Sequence, residues 1–260
     1  MTKVLQLEIN GVENQAKGNE MEKQGLPEWL DNQHLERPQS LIAAVLEHFE
    51  PRQITLSTGF GMEGCALVEM VSQLEVQLEV IYMDTAFFFP ETYALINEMK
   101  EHYPDLRFVN AGTHLTPQQQ EERYGEKLWE RDPDVCCLLR KVLPMKEVLK
   151  DSRVWLTGLR RDQSSHRKNL SKVEWEHNHE LWKISPLADW TRSQIWEYIQ
   201  EHDVPHNKLH KKGYPSIGCM QCTKHVPGAS MSDYSREGRW AGLSKTECGL
   251  HVKNDEKVGG

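Results

Sequence analysis

A short apolar stretch, Ile54-Thr55-Leu56, runs directly into Ser57-Thr58-Gly59-Phe60-Gly61-Met62-Glu63-Gly64, and an apolar helical pattern through Leu67, Val68, Val71 and Leu74 follows. A strand, a small-residue turn and a helix in that order restrict the fold more than any other part of the chain. The pattern recurs. Val80-Ile81-Tyr82-Met83 reads as a second strand ending at Asp84-Thr85, and Pro90 suits the first turn of a helix through Tyr93, Leu95 and Ile96. Arg107-Phe108-Val109 and Val154-Trp155-Leu156 read as further strands. Pro38 opens an earlier helix with an apolar face of Leu41, Ile42, Val45, Leu46 and Phe49. Thr191-Arg192-Ser193-Gln194 has capping-box form and starts a late one carrying Ile195, Trp196 and Ile199. Strands alternating with helices predict an α/β fold: a parallel twisted sheet with helices on both faces.

At 260 residues the chain can bury the core of one α/β domain with appendages. Three parts are expected: a polar arm over 1–37 with one packed turn near Trp29-Leu30, the α/β domain over 38–235, and a tail over 236–260. A net charge of -8 disfavours nonspecific nucleic-acid binding, while local basic clusters remain free to hold a small anion. No stretch approaches a membrane span, the mean hydropathy is -0.66, and the first residues lack an apolar signal segment. A cytoplasmic protein is expected. Its six cysteines then point to metal or redox chemistry rather than disulfides.

Small residues at a strand-to-helix turn let backbone N–H groups face an anion at the helix N-terminus. Ser57, Thr58, Gly59, Gly61 and Glu63 are therefore candidate nucleotide contacts, although the loop lacks the Gly-Lys-Ser/Thr ending of a Walker loop. Asp84 and Thr85 end the next strand at the same edge; Asp84 alternatively caps the following turn. Cys136-Cys137 and the later Cys219-Met220-Gln221-Cys222 supply four thiols. Zinc usually takes two C-x-x-C-like knuckles, whereas a polynuclear cluster tolerates adjacent thiolates; two buried cysteines plus a redox pair is the bland reading. Arg140-Lys141, Arg160-Arg161, Arg236 and Arg239 stand beside these loops, and guanidinium forks suit phosphate and sulfate oxygens. Cys248 stands alone near the C-terminus. Arg236, Arg239, Lys245 or His251 are the cations expected to favour its thiolate. Cys65, amid Ala66, Leu67 and Val68, reads as core.

In order, the chain carries Ser57-Thr58-Gly59-Phe60-Gly61-Met62-Glu63-Gly64, Asp84-Thr85, Cys136-Cys137 with Arg140-Lys141, and Thr157-Gly158-Leu159-Arg160-Arg161-Asp162-Gln163-Ser164. Gly213-Tyr214-Pro215-Ser216-Ile217-Gly218-Cys219, Cys222-Thr223, Gly238-Arg239-Trp240 and Glu247-Cys248-Gly249-Leu250-His251 follow. This series resembles the assimilatory adenylyl-sulfate (APS) and phosphoadenylyl-sulfate (PAPS) reductases over about residues 40 to 251. The resemblance implies an adenine-nucleotide α-hydrolase-like fold with a modified phosphate loop and a mobile catalytic tail. It implies that Cys248 attacks the sulfur of the sulfonucleotide, that AMP leaves, and that reduced thioredoxin releases sulfite from a Cys-S-sulfonate. It further implies that Cys136, Cys137, Cys219 and Cys222 hold a [4Fe-4S] cluster. Lys141, Arg236, Arg239 and His251 would engage the phosphosulfate, with Arg160 nearby. The expected partners are APS, or PAPS, reduced thioredoxin and further copies of the chain as a homo-oligomer, with neither nucleic acid nor membrane.

Two positions depart from the family pattern. Gly59 stands where Ser is frequent, leaving Ser57 or Thr58 to replace the hydroxyl. Ala86 stands where Gly is frequent, and ordinary backbone angles are expected there. In the family the four cluster cysteines usually accompany APS, which places PAPS or dual use second. An ATP-pyrophosphatase-type transferase shares the loop but does not predict the Cys248 tail. A noncatalytic zinc module is the remaining alternative.

Overall fold

A computed structural model describes residues 27–229, 236–243 and 245–251. In chain order the elements are α1 (Pro38–His48), β1 (Ile54–Ser57), α2 (Met62–Ser72), β2 (Glu79–Tyr82), α3 (Pro90–His102) and β3 (Arg107–Asn110). Then come α4 (Pro117–Tyr124), α5 (Leu128–Arg131), α6 (Pro133–Cys137), a wide helical turn (Leu138–Val142) and α7 (Leu143–Leu149). The chain continues with β4 (Val154–Thr157), β5 (Val173–Glu176), β6 (Leu181–Ile184) and α8 (Arg192–Glu201). Pro38 and Pro90 sit in the first turns of α1 and α3, where a missing N–H costs nothing. Thr191 caps α8 as expected: its hydroxyl accepts from Gln194 N while Gln194 Oε1 accepts from Thr191 N at 2.8 Å.

The six strands are ordered β3-β2-β1-β4-β6-β5. β3, β2, β1, β4 and β6 run parallel, and β5 pairs antiparallel with β6. The sheet is therefore mixed rather than all parallel. The hairpin that adds β5 needs only the short connection 177–180 and no crossover helix. Strand order reverses between β1 and β4, which leaves a crevice at their carboxyl ends.

Alternate strand residues go to opposite faces. Leu56, Val80, Tyr82, Val154, Leu156 and Ile184 join the core under α1, α2, α3 and α8. Ile81, Trp155 and Leu181 face the other way, onto Met145 and Leu149 of α7. Helices therefore cover both faces, and α2 is buried along most of its length because it lies over the sheet centre. Cys65 on α2 is fully buried, and burial pushes its thiol well above the usual range. Trp29 stacks on His48 at 4.9 Å between ring centres and Leu30 is buried, while the rest of the polar arm, 1–26, lies outside the described residues. No described helix is long and apolar enough to cross a membrane.

Candidate active site

A cavity of about 240 Å³ opens at the β1/β4 reversal. Ser57, Thr58, Gly59 and Gly61 line it from β1 and its loop, and Thr157, Gly158 and Leu159 from the end of β4. The loop is held from within. Thr58 N donates to Ile81 O, and Thr58 Oγ1 accepts from Phe60 N, each at 3.0 Å. Ser57 Oγ accepts from Trp155 Nε1 at 2.7 Å. Both hydroxyls expected to replace the missing one at Gly59 thus already accept a hydrogen bond inside the protein, and a side chain at Gly59 would meet open space. Glu63, one residue into α2, accepts from Arg160 Nε at 3.0 Å and Nη2 at 2.8 Å. Burial pushes its carboxyl up, but Arg160, its own backbone N–H and Arg192 together outweigh burial and hold it below the usual carboxylate range.

The tail crosses this cavity. Cys248, Glu247, Leu250 and His251 line it, together with Lys141, Arg167, Arg236 and Arg239. Gly249 takes φ +87°, a left-handed angle that turns the chain beside Val142 directly after the cysteine. Leu250 then packs on the cluster formed by Met145, Trp155 and Leu181. The His251 ring stacks on Trp155 at 4.9 Å between centres. Burial, followed by Lys183, Arg167 and Arg236, lowers the His251 pKa well below its usual value, so the ring is neutral. Burial pushes the Cys248 thiol up. Lys141, the Leu250 backbone N–H and Arg167 more than reverse this and leave it below the ordinary thiol range. The cations that favour its thiolate most are therefore Lys141 and Arg167, which were not among the four tail residues expected. Neither lies close in sequence, so only the tertiary fold brings them there.

A second, smaller pocket lies against Lys141. Cys136, Cys137, Cys219 and Cys222 line it with Phe87, Trp129, Arg140 and Gln221. α6 carries the first pair, and a Met220 N to Phe87 O bond of 2.7 Å docks the second against the segment after β2. Thr85 Oγ1 lies 3.2 Å from Cys219 Sγ. Arg140 is buried, donating to Gln120 Oε1 at 2.6 Å and Thr85 O at 2.7 Å. Among the described residues its Nη2 has no hydrogen-bond partner. Burial and the neighbouring thiols push Cys136 up to about 11, and burial pushes Cys137 up to about 12. Among the described residues no three His, Cys, Asp or Glu side chains are set to hold a single metal ion.

The fold thus brings Ser57, Thr58, Gly59, Gly61, Glu63, Lys141, Arg236, Arg239, Cys248 and His251 to one cavity. It does not bring Asp84, Thr85 or Arg160 to the cavity wall. Asp84 Oδ1 accepts from Ala86 N at 2.8 Å and from Tyr93 OH at 2.9 Å, closing a turn. Thr85 faces Cys219. Arg160 is fully buried behind the loop, bound to Glu63, Asp162 and Trp190 O. Ala86 adopts φ +57°, against the expectation of ordinary angles; the Asp84 turn imposes the conformation usually left to glycine. Arg167, Arg192 and His210 line the cavity without having been singled out in the sequence. A basic residue three positions past Ser164 was the available signal for Arg167.

A family model described as the phosphoadenosine phosphosulfate reductase domain matches residues 53–225, from just before β1 to just past the second cysteine pair. The chain belongs to this family. The adenosine 5'-phosphosulfate reductase of Salinibacter ruber is 45% identical over 203 residues, which cover 78% of this chain and 79% of that protein. The protein of the same name from Bacillus anthracis is 42% identical over 201 residues, 77% of this chain and 88% of that one. The crystal structure of phosphoadenylyl-sulfate reductase from Candida auris, a phosphate complex, superposes with TM-score 0.63 at 28% identity, covering 76% of this chain and 98% of that one. Candida glabrata FMN adenylyltransferase shares the fold alone, with TM-score 0.54 at 15% identity over 87% of this chain and 80% of that one. Relative to the family model, the tail from 236 onward lies outside the matched residues, and the strand-end wall of the crevice and both cysteine pairs lie inside.

Proposed function

We propose that this chain reduces APS to sulfite and AMP in sulfate assimilation, with Cys248 as the nucleophile. The observation that carries this reading is the Cys248 thiol, set beside Lys141 in the wall of the crevice where open α/β sheets bind nucleotides. Its thiolate attacks the sulfur of the bound sulfonucleotide. A Sγ–S bond forms, the bond from sulfur to the phosphate oxygen breaks, and AMP departs with the electron pair. Lys141, Arg236 and Arg239 neutralise the anion whose charge otherwise repels the thiolate. A thiol of reduced thioredoxin then attacks Cys248 Sγ and sulfite leaves. The second thioredoxin thiol resolves the mixed disulfide and restores Cys248. The two electrons come from the dithiol.

The four pocket thiols fit a sulfur-ligated cluster. They converge on one small pocket, and the raised pKa values of Cys136, Cys137 and Cys222 disfavour thiolates without a cation. Arg140 Nη2 offers a spare buried donor at the same place. Cys136, Cys137, Cys219 and Cys222 would hold a [4Fe-4S] group, which when bound supplies an electrostatic and structural contribution beside Lys141. The chain's own residues carry the reaction.

Intact-mass analysis after APS and before reductant tests the function. An adduct of one sulfonate mapped to Cys248, absent in Cys248→Ser while AMP still binds, is the expected result. Sulfite release by Cys248→Ser would overturn the assignment, and a preference for PAPS over APS in parallel assays would overturn the substrate. Iron and sulfide in anaerobically prepared protein are expected; one zinc and no iron would reject the cluster.

A further inference from the structure

Glu247 immediately precedes the nucleophile, and its carboxylate turns back into the protein. Oε1 accepts from the Ser164 hydroxyl at 2.9 Å, and Oε2 from Arg167 Nη2 at 2.7 Å. Arg236 Nη2 lies 3.5 Å from Oε2, and Arg236 also donates to Thr246 O at 2.9 Å. The two side chains of the Glu247–Arg167 pair are only 9% and 12% exposed. An exposed pair of this kind contributes little, but separating a buried one strands a charge away from water. Ser164 and Arg167 follow β4, and Arg167 lies in the wall of the crevice. Arg167 is itself braced: its Nη1 donates to Gln163 Oε1, which also accepts from Arg160 N at 3.1 Å. Arg160 in turn grips Glu63 below the anion loop. A run of polar contacts thus connects the loop that faces the nucleotide with the residue next to the thiol.

We propose that Glu247 is the closure latch of the catalytic tail. Docked on Ser164, Arg167 and Arg236, it seats the Cys248 sulfur beside Lys141; released, it frees the tail to carry the sulfonated cysteine out to a reductant. Glu247 touches no reacting atom in this role and is a positioning residue. The role rests on Cys248 being the nucleophile.

Glu247→Gln keeps the size of the side chain and removes its charge. Single-turnover sulfonation of Cys248 at saturating APS is expected to slow by about 100-fold, the scale of a one-ångström misplacement of a reacting group. AMP affinity is expected to persist, which also establishes that the variant is folded. Protection of residues 245–251 from proteolysis in the AMP complex is expected to fall. Sulfonation at the wild-type rate would overturn the latch, as would slowed sulfonation with the tail still protected. Absence of any adduct on Cys248 in the wild-type enzyme would instead overturn the nucleophile, a failure distinct from that of the latch.

Discussion

Gly112, which follows β3, has no side chain because the backbone after β2 occupies its place. A Cβ there would collide with Asp84 O and lie 2.7 Å from Asp84 N. Asp84 begins the segment that brings Thr85 to Cys219 and Phe87 to the thiol pocket. Gly112→Ala is therefore expected to cost about 1–3 kcal/mol, the range for forcing extra volume into packed structure. Urea unfolding measures that cost, and iron content would report the displacement of Thr85 if the proposed cluster is bound; an unchanged urea midpoint would refute the close approach. Residue types alone identified the four thiols and Cys248. They did not identify what acts on Cys248, because Lys141 and Arg167 reach it across the fold rather than along the chain.

At the scale of elements, the Arg160–Glu63 pair joins the segment after β4 to the start of α2 across the strand-order reversal. Both side chains are buried, so Arg160→Met leaves a carboxylate without its partner and is expected to cost about 3–5 kcal/mol at neutral pH. In the wild type, Glu63 has a folded pKa below the ordinary value. Its contribution is present above the unfolded pKa of about 4.3 and is lost as pH falls through the lower folded value. In Arg160→Met the raising effect of burial acts with its main opponent removed, and the sign reverses. The deficit relative to wild type is expected to shrink between pH 7 and pH 5, measured by urea midpoints; an equal deficit at both would contradict the buried carboxylate. β1 to β4 and α1, α2, α3 and α8 followed from periodicity and caps. β5, β6 and the short helices α4 to α7 did not; Val173-Glu174-Trp175-Glu176, for one, is half-buried throughout and lies on an edge, where pairing with β6 rather than local pattern decides.

For the whole molecule, the tail residues complete the cavity wall, and if the tail closes over substrate as proposed, His251 is expected to make that closure sensitive to pH. The closed form holds the imidazole neutral through burial and the nearby charges of Lys183, Arg167 and Arg236. A base whose pKa is lowered in the closed form must lose its proton to enter it. Closure is therefore favoured above the open-state value of about 6.5 and weakens as pH falls below it. Between pH 7.5 and 5.5 the closing equilibrium is expected to drop roughly tenfold, read as hydrogen exchange in residues 245–251. His251→Asn is expected to remove that dependence, and a variant that keeps it would exclude His251 as the cause.

The sequence by itself determined the α/β alternation, the small-residue loop after the first strand, the paired thiols and the isolated cysteine. Each rests on local chemistry: side-chain period, backbone freedom at small residues, and donor type. The tertiary structure alone decided that Arg160 braces Glu63 instead of lining the cavity, that Thr85 serves the thiol pocket, and that Ala86 takes a left-handed angle. It also decided that Glu247 docks the tail on Arg167. These depend on which strand ends meet where the sheet reverses and on how far a long side chain reaches across that crevice. Neither distance is written in the spacing of residues along the chain.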